Sequence, residues 1–289
     1  MDWAGLAADL LIEFAVRLTV IDWLRFRAVC APCNHAAQTT LSSGRRPRPE
    51  PPWLMLSGGA GASADPTAVD LFSFHDGRRH RRPSLPKPAI QRRVSISSAY
   101  GWVVTVDEEC ALHLLNPVTG AQLPLPSITT MTGYCEEALP RAESSDTSIR
   151  FVFHDRWLLA VHWPDNRMRA GESVEMLADQ VPTCFFRKAI LLSDPASGEY
   201  LVMMIHGPMG HLAFARQSDP RWVILPSPYL FEDVIGYNGQ FYAVTRCGVV
   251  LIWEPDGVTF KSRMIDVPEH SEGDLYFKKY LAESVNGDL

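Results

Sequence analysis

"DVIGYNGQFYAVTRCGVVLIWEPDG", residues 233–257, decides the fold. Asn238-Gly239 sits between two apolar runs. A two-residue hairpin that follows the natural twist of its strands needs φ > 0 at both central positions, which Asn and Gly tolerate, so the dipeptide predicts antiparallel strands on either side. Cys247-Gly248 predicts a second reversal, and "EPDG" leads out. The scheme recurs at 101–126, "GWVVTVDEECALHLLNPVTGAQLPLP", with a charged turn at Asp107-Glu108-Glu109 and a second turn at "NPVTG". It recurs again at 189–207, "AILLSDPASGEYLVMMIHG", with "DPASG" as the turn. Repeated antiparallel units of this length, with no helical stretch between them, predict a mainly β chain built as a β-propeller; a β-sandwich competes, because strand repeats suit both. The stretch from Thr130 to Asp179 is less regular, and "EEALPRAESSDTS" (136–148) reads as an exposed excursion.

Toward the N-terminus the texture changes. In "DLLIEFAVRL" (9–18), Leu10, Leu11, Phe14, Ala15 and Leu18 recur every three to four residues and form one apolar helical face, with Asp9 as its N-cap and Glu13 on another face. Asp22 reads as the cap of a second helix in which Leu24 and Ala28 face one way. Pro32 fits the first turn of a third, "PCNHAAQ" (32–38), where a missing N–H costs nothing. Three such helices bury too little apolar surface to stand alone, so they need either the rest of the chain or another protein. "SSGRRPRPEPP" (42–52) is proline-rich, basic and aperiodic, a linker. The expected organisation is therefore helices over 1–41, a linker over 42–52 and a β domain over 53–289.

Bulk properties exclude several classes. The 289 residues are 46% apolar and 21% charged, as expected of a globular protein. A formal net charge of −6 argues against a nucleic-acid partner, which needs a basic face. No apolar run approaches the roughly 20 residues that span a bilayer, so no membrane association is expected. "MDWAGLAADLLIEF" lacks the basic start of a secretory signal, and the six cysteines are too dispersed for a disulfide framework. They read as reduced thiols, with the cytoplasm or the nucleus as the expected location.

"WAGLAADLLIEFAVRLTVIDWLRFRAVCAPCNHAA" (3–37) resembles an F-box, the helical motif that docks the Skp1-type adaptor of a ubiquitin ligase. Leu6, Asp9-Leu10-Leu11, Leu18 and "LRFRAVC" (24–30) carry the likeness. "LLNPVTGAQLPLP" (114–126), "DPRWVILP" (219–226), "FEDVIGYNGQFYAVTRCGVVLIWE" (231–254) and "KKYLAES" (278–284) resemble the C-terminal KIB-type, kelch-like β-propeller of a plant F-box family. The order of the two parts is the family's order. The resemblance implies a non-enzymatic, substrate-recruiting adaptor subunit of an Skp1-cullin-F-box ligase, without cofactor or metal. Leu6, Leu10, Leu11, Phe14, Leu18, Leu24 and Val29 would serve adaptor binding or helix packing, and the propeller would bind a protein target.

The likeness also bears on "CAPC" (30–33), which by itself suggests a redox centre or half of a zinc site. Family members commonly carry a core Trp where this chain has Cys33, so the second thiol reads as a packing residue. No strand precedes Cys30, and Cys30, Cys33 and His35 lack a second paired cluster to complete a zinc site. Ala7 stands where many F-boxes have Pro, and the loss of a Trp at position 33 leaves Trp23 to supply aromatic area nearby. These departures, and an ending at "AESVNGDL" where family members continue with further strands, lead to the expectation of a propeller incomplete at its C-terminus. They also keep open a binding module uncoupled from any ligase.

An enzyme is the third alternative. It would need carboxylates or histidines converging from several blades, and His75, His80, His154, His162, His206 and His211 show no such spacing. His206 and His211 flank "GPMG" and read as loop histidines. "SGGAGASAD" (57–65) lacks the Lys of a phosphate loop. "RRHRRPSLPKPAIQRR" (78–93) reads as a solvated loop, with a nuclear-localisation patch as the alternative. Trp53, Trp102, Trp157, Trp222 and Trp253 read as blade-packing residues.

Overall fold

The computed structural model describes residues 5–43, 50–56, 67–82, 84–131, 135–137, 149–153, 173–207, 210–256, 259–265, 277–284 and 286–289. The chain divides into two compact units, residues 1–83 with 195–198, and residues 84–194 with 199–289.

The first unit holds helices α1 (Ala8–Ala15), α2 (Val20–Arg27) and α3 (Ala31–Ser42), and an antiparallel sheet of β1 (Trp53–Leu56), β2 (Val69–Ser73) and β3 (Arg78–Arg82). Two small apolar clusters join the helices. Leu11, Cys33 and Ala36 form one, flanked by Leu6, Ile12, Phe26 and Cys30. Ala15, Trp23 and Ala37 form the other, flanked by Leu18, Leu24 and Phe26. On α2 it is Trp23 that turns inward, whereas Ala28 is the exposed C-cap.

The caps also differ from expectation. Ala7 is the N-cap of α1, and Asp9 lies in the first turn, where its charge meets the positive end of the helix dipole. Thr19 caps α2, its Oγ1 accepting the Asp22 N–H at 3.2 Å. The basic run begins as a strand, since Arg78–Arg82 pairs along its whole length with Val69–Ser73. An outer strand with one neighbour needs no apolar alternation, and charge protects its edge.

Among the described residues the second unit contains four sheets, each built of consecutive antiparallel strands. They are β4 (Arg93–Ala99) to β7 (Gln122–Pro124), with β5 (Trp102–Asp107) and β6 (Leu112–Leu115); and β8 (Cys135–Glu137), β9 (Arg150–Phe153) and β10 (Val174–Leu177). After a helical turn, α4 (Val181–Cys184), come β11 (Phe186–Leu191), β12 (Leu201–His206), β13 (His211–Arg216) and β14 (Val223–Ile224). The last sheet is β15 (Phe231–Tyr237), β16 (Gln240–Thr245), β17 (Val250–Asp256) and β18 (Thr259–Ile265). A sandwich would exchange strands between two sheets; here every meander finishes its own. The β15–β16 turn is the predicted one, with Asn238 and Gly239 at φ 49° and 74°. Tyr100-Gly101, at φ 54° and 78°, makes the equivalent turn between β4 and β5.

Strand β12 shows how the sheets stack. Every one of its six residues is buried. Leu201, Met203 and Ile205 join Phe231, Phe241 and Trp253 of the last sheet, whereas Val202 and Met204 join Trp102, Leu114, Phe153 and Phe185 on the opposite side. A period of two thus feeds two cores from one strand, as the central strand of a propeller blade requires. Trp102, Trp222 and Trp253 are all buried in these cores, in line with their reading as packing residues. His154, Trp157, His162, the glycine-rich stretch 57–65 and most of the excursion at 136–148 lie outside the described residues.

Candidate protein-docking site

Helix α1 presents two faces. Leu11 and Ala15 are 1% and 0% exposed and hold α1 against α3 and α2. Leu10 and Phe14, four residues apart and therefore neighbours on one face, are 52% and 48% exposed. Val29, between α2 and α3, is 61% exposed. Of the seven residues assigned to docking, Leu10, Phe14 and Val29 thus reach solvent. Leu6, Leu18 and Leu24 are half-buried against the helical clusters, and Leu11 is an interior residue that supports the face from beneath.

Polar contacts fix the motif around this face. Asp22 pairs with Arg25 at 3.0 Å, Glu13 lies 3.7 Å from Arg17, and the Arg27 guanidinium stacks 4.8 Å from the centre of the Trp23 ring. Glu50, within the segment read as a linker, accepts the Val20 backbone N–H through Oε1 and the Trp53 indole N–H through Oε2, both at 2.9 Å. One carboxylate thereby satisfies an orphan N–H of α2 and anchors the start of β1, and its negative charge favours a helix N-terminus. Sequence reasoning missed Glu50, because a single Glu among prolines gives no periodic signal.

In the second unit the polar groups serve architecture. Arg93, 9% exposed, donates to the Pro86 and Pro88 carbonyls, Thr105 Oγ1 and Gln122 Oε1 at 2.8–3.1 Å. His206 is a strand residue paired with His211 across β12 and β13, and not part of a loop. Complete burial, with His211 nearby, pushes its imidazole down to about 3, so it is neutral and packs against Phe185. A cleft of about 830 Å³ lies beside Thr130, His211, Trp222 and Pro228. Among the described residues no three His, Cys, Asp or Glu side chains group closely enough to hold a metal ion.

A bundle of short helices with an exposed Leu-Phe face precedes consecutive antiparallel meanders whose sheets stack face to face, the architecture of a β-propeller. The chain belongs to the KIB1-4 beta-propeller family, whose model matches residues 71–289. It is 26% identical to the F-box protein SKIP23 of Arabidopsis thaliana over 296 aligned positions, covering 98% of this chain and 62% of that protein. The F-box/kelch-repeat protein KIB1 of the same plant is 27% identical over 128 positions, covering 44% of this chain and 32% of KIB1. F-box protein KIB4 is 20% identical over 291 positions, covering 98% of this chain and 67% of KIB4. This chain thus spans less than two thirds of the length of SKIP23. Among solved structures, apo AztD from Citrobacter koseri aligns over 73% of this chain and 57% of its own at 12% identity and a TM-score of 0.28, too low to bear on the argument.

Proposed function

We propose that this chain is the substrate-recruiting subunit of an Skp1-cullin-F-box type ubiquitin ligase, acting in the cytoplasm, the nucleus or both. The α1 face docks an Skp1-like adaptor, and the propeller binds a protein target. Ubiquitin transfer belongs to the assembled ligase, so the chain needs no cofactor or catalytic group of its own.

The observation that carries this reading is the pair Leu10 and Phe14. Each is about half exposed on one helical face, beside a Leu11 that is fully inside. Burying such a pair against a partner contributes about 1.5–3 kcal/mol per side chain when burial is complete, and each has roughly half of its surface left to bury. The relatives' names as F-box proteins and the F-box-like order of the N-terminal residues support the same reading.

The test is capture of the full chain by an immobilised Skp1-type adaptor, comparing wild type with Leu10→Asp/Phe14→Asp. Leu11 and Ala15 stay in place beneath this face, and the melting temperature and helix content of the double variant, measured alongside, separate lost docking from lost folding. The proposal expects the double variant to lose adaptor capture by at least tenfold. Equal capture of both proteins, or capture of neither, overturns the ligase role and leaves an uncoupled binding module.

A further inference from the structure

In the sequence, the lack of a strand before Cys30 speaks against a redox role for Cys30 and Cys33. The structure shows why a strand is not required. Cys30 is the residue immediately before α3 and its carbonyl accepts the Asn34 N–H at 3.0 Å, which makes it the helix N-cap, with Cys33 one turn further on. The two sulfurs lie 3.2 Å apart, inside normal sulfur contact, and both are free thiols. Cys33 is 1% exposed within the Leu11–Ala36 cluster, whereas Cys30 is half-buried at its margin.

We propose that Cys30 and Cys33 form a redox-active dithiol site at the start of α3, which takes low-molecular-weight disulfides such as oxidised glutathione as its oxidant. The two thiols divide the work by accessibility. Cys30, at the margin, is the sulfur a soluble disulfide can reach. Its thiolate attacks one sulfur of oxidised glutathione, the disulfide breaks, and one glutathione thiolate leaves. Cys33 then attacks Cys30 Sγ across the existing contact, its proton leaves with the second glutathione, and the Cys30–Cys33 disulfide remains. Two protein thiols are oxidised and one glutathione disulfide is reduced to two glutathiones. Excess reduced glutathione reverses both steps.

The buried partner shapes the kinetics. Burial and contact with Cys30 push the Cys33 thiol up to about 11, so it is protonated at neutral pH, and closure, which needs its thiolate, accelerates as pH rises. The packing role and the redox role are compatible, because closing the bond only shortens a contact that packing has already made.

The full chain provides a clean readout. Trypsin cuts after Arg27 and Arg45, so the peptide 28–45 carries Cys30 and Cys33 and no other cysteine. After exposure to oxidised glutathione, acid quenching and alkylation, this peptide is expected at the mass of its dithiol less two hydrogens, without alkyl groups. Reduced glutathione should restore the alkylatable form. In Cys33→Ser the same peptide should instead stop as the glutathione adduct of Cys30, and in Cys30→Ser it should stay unmodified. The exposed Cys247 serves as the internal control for simple adduct formation. A wild-type peptide that stops at the mixed adduct or remains fully alkylatable overturns the proposal, as does a Cys30→Ser chain that reacts as fast as wild type.

Discussion

Lys188 on β11 and Asp233 on β15 form an ion pair between neighbouring sheets, Nζ to Oδ1 at 2.5 Å, and the second carboxylate oxygen of Asp233 accepts the Leu281 N–H at 2.9 Å. The Asp233 side chain is 3% exposed and that of Lys188 31%. Lys188→Met leaves a buried carboxylate without its cation. Removing one partner of a fully buried pair costs about 3–5 kcal/mol, and partial solvation of Lys188 brings the expected loss to the lower end, about 3 kcal/mol. The double variant Lys188→Met/Asp233→Leu should recover much of it. Urea titration of the four proteins in this cycle measures the coupling, and a single-variant loss below about 0.5 kcal/mol would show that water already screens the pair.

Gly210 makes a tight backbone approach. A Cβ there would lie 2.2 Å from the Phe231 carbonyl oxygen, and φ is +83°. The Phe231 N–H already donates to the Gly210 carbonyl at 2.8 Å, so neither backbone can move aside cheaply. Gly210→Ala is expected to cost at least about 3 kcal/mol, whereas Gly239→Ala, at φ +74° with nothing within 4 Å, should cost about 1 kcal/mol. Thermal melts of the two variants side by side make the comparison; equal losses would contradict the close approach.

The turns make much of the propeller legible in the sequence. Asn238-Gly239, Cys247-Gly248 and "DPASG" announce chain reversals because positive φ restricts which residues can stand there. Outer strands are not legible in the same way. Arg78–Arg82 and Thr259–Ile265 carry little apolar alternation, since these outer strands leave most of both faces in water. His206 misleads for the opposite reason. A histidine beside a glycine resembles a loop residue, and only its pairing with His211 places it in the core. In the helices, a period of 3.6 identifies the apolar stripe but cannot divide it. Which of Leu10 and Leu11 faces inward depends on where α3 packs.

That division is itself testable. Leu11→Ala removes a side chain that is 1% exposed and should destabilise the helices by about 2–4 kcal/mol, whereas Leu10→Ala should stay within about 0.5 kcal/mol. Hydrogen exchange of the α1 and α3 amides reads the helices separately from the sheets. Faster exchange in Leu10→Ala than in Leu11→Ala would reverse the assignment of the two faces.

Burial of His206 makes stability sensitive to acid. Its unfolded value is about 6.5 and its folded value about 3, so between these the unfolded chain binds a proton that the folded chain does not. Stability therefore rises with pH through this window, by about 1.4 kcal/mol per unit, is complete above about 6.5, and is lost as pH falls toward 3. From pH 7 to pH 5 the wild type should lose about 2 kcal/mol more than His206→Leu in urea titrations. Parallel pH profiles would remove His206 as the cause.

The end of the chain is held in an unusual way. The Lys279 and Leu281 amides donate to Glu232 and Asp233 at 2.9 Å, and the Tyr237 hydroxyl donates to the Gly287 carbonyl at 2.5 Å. All three contacts grip the segment by its main chain, so they read position and not side-chain identity. Phe277 and Tyr280 remain 71% and 68% exposed while their neighbours are tethered. Proline at 279 or 281 would delete the very hydrogen that the carboxylates hold, whatever side chains surround it.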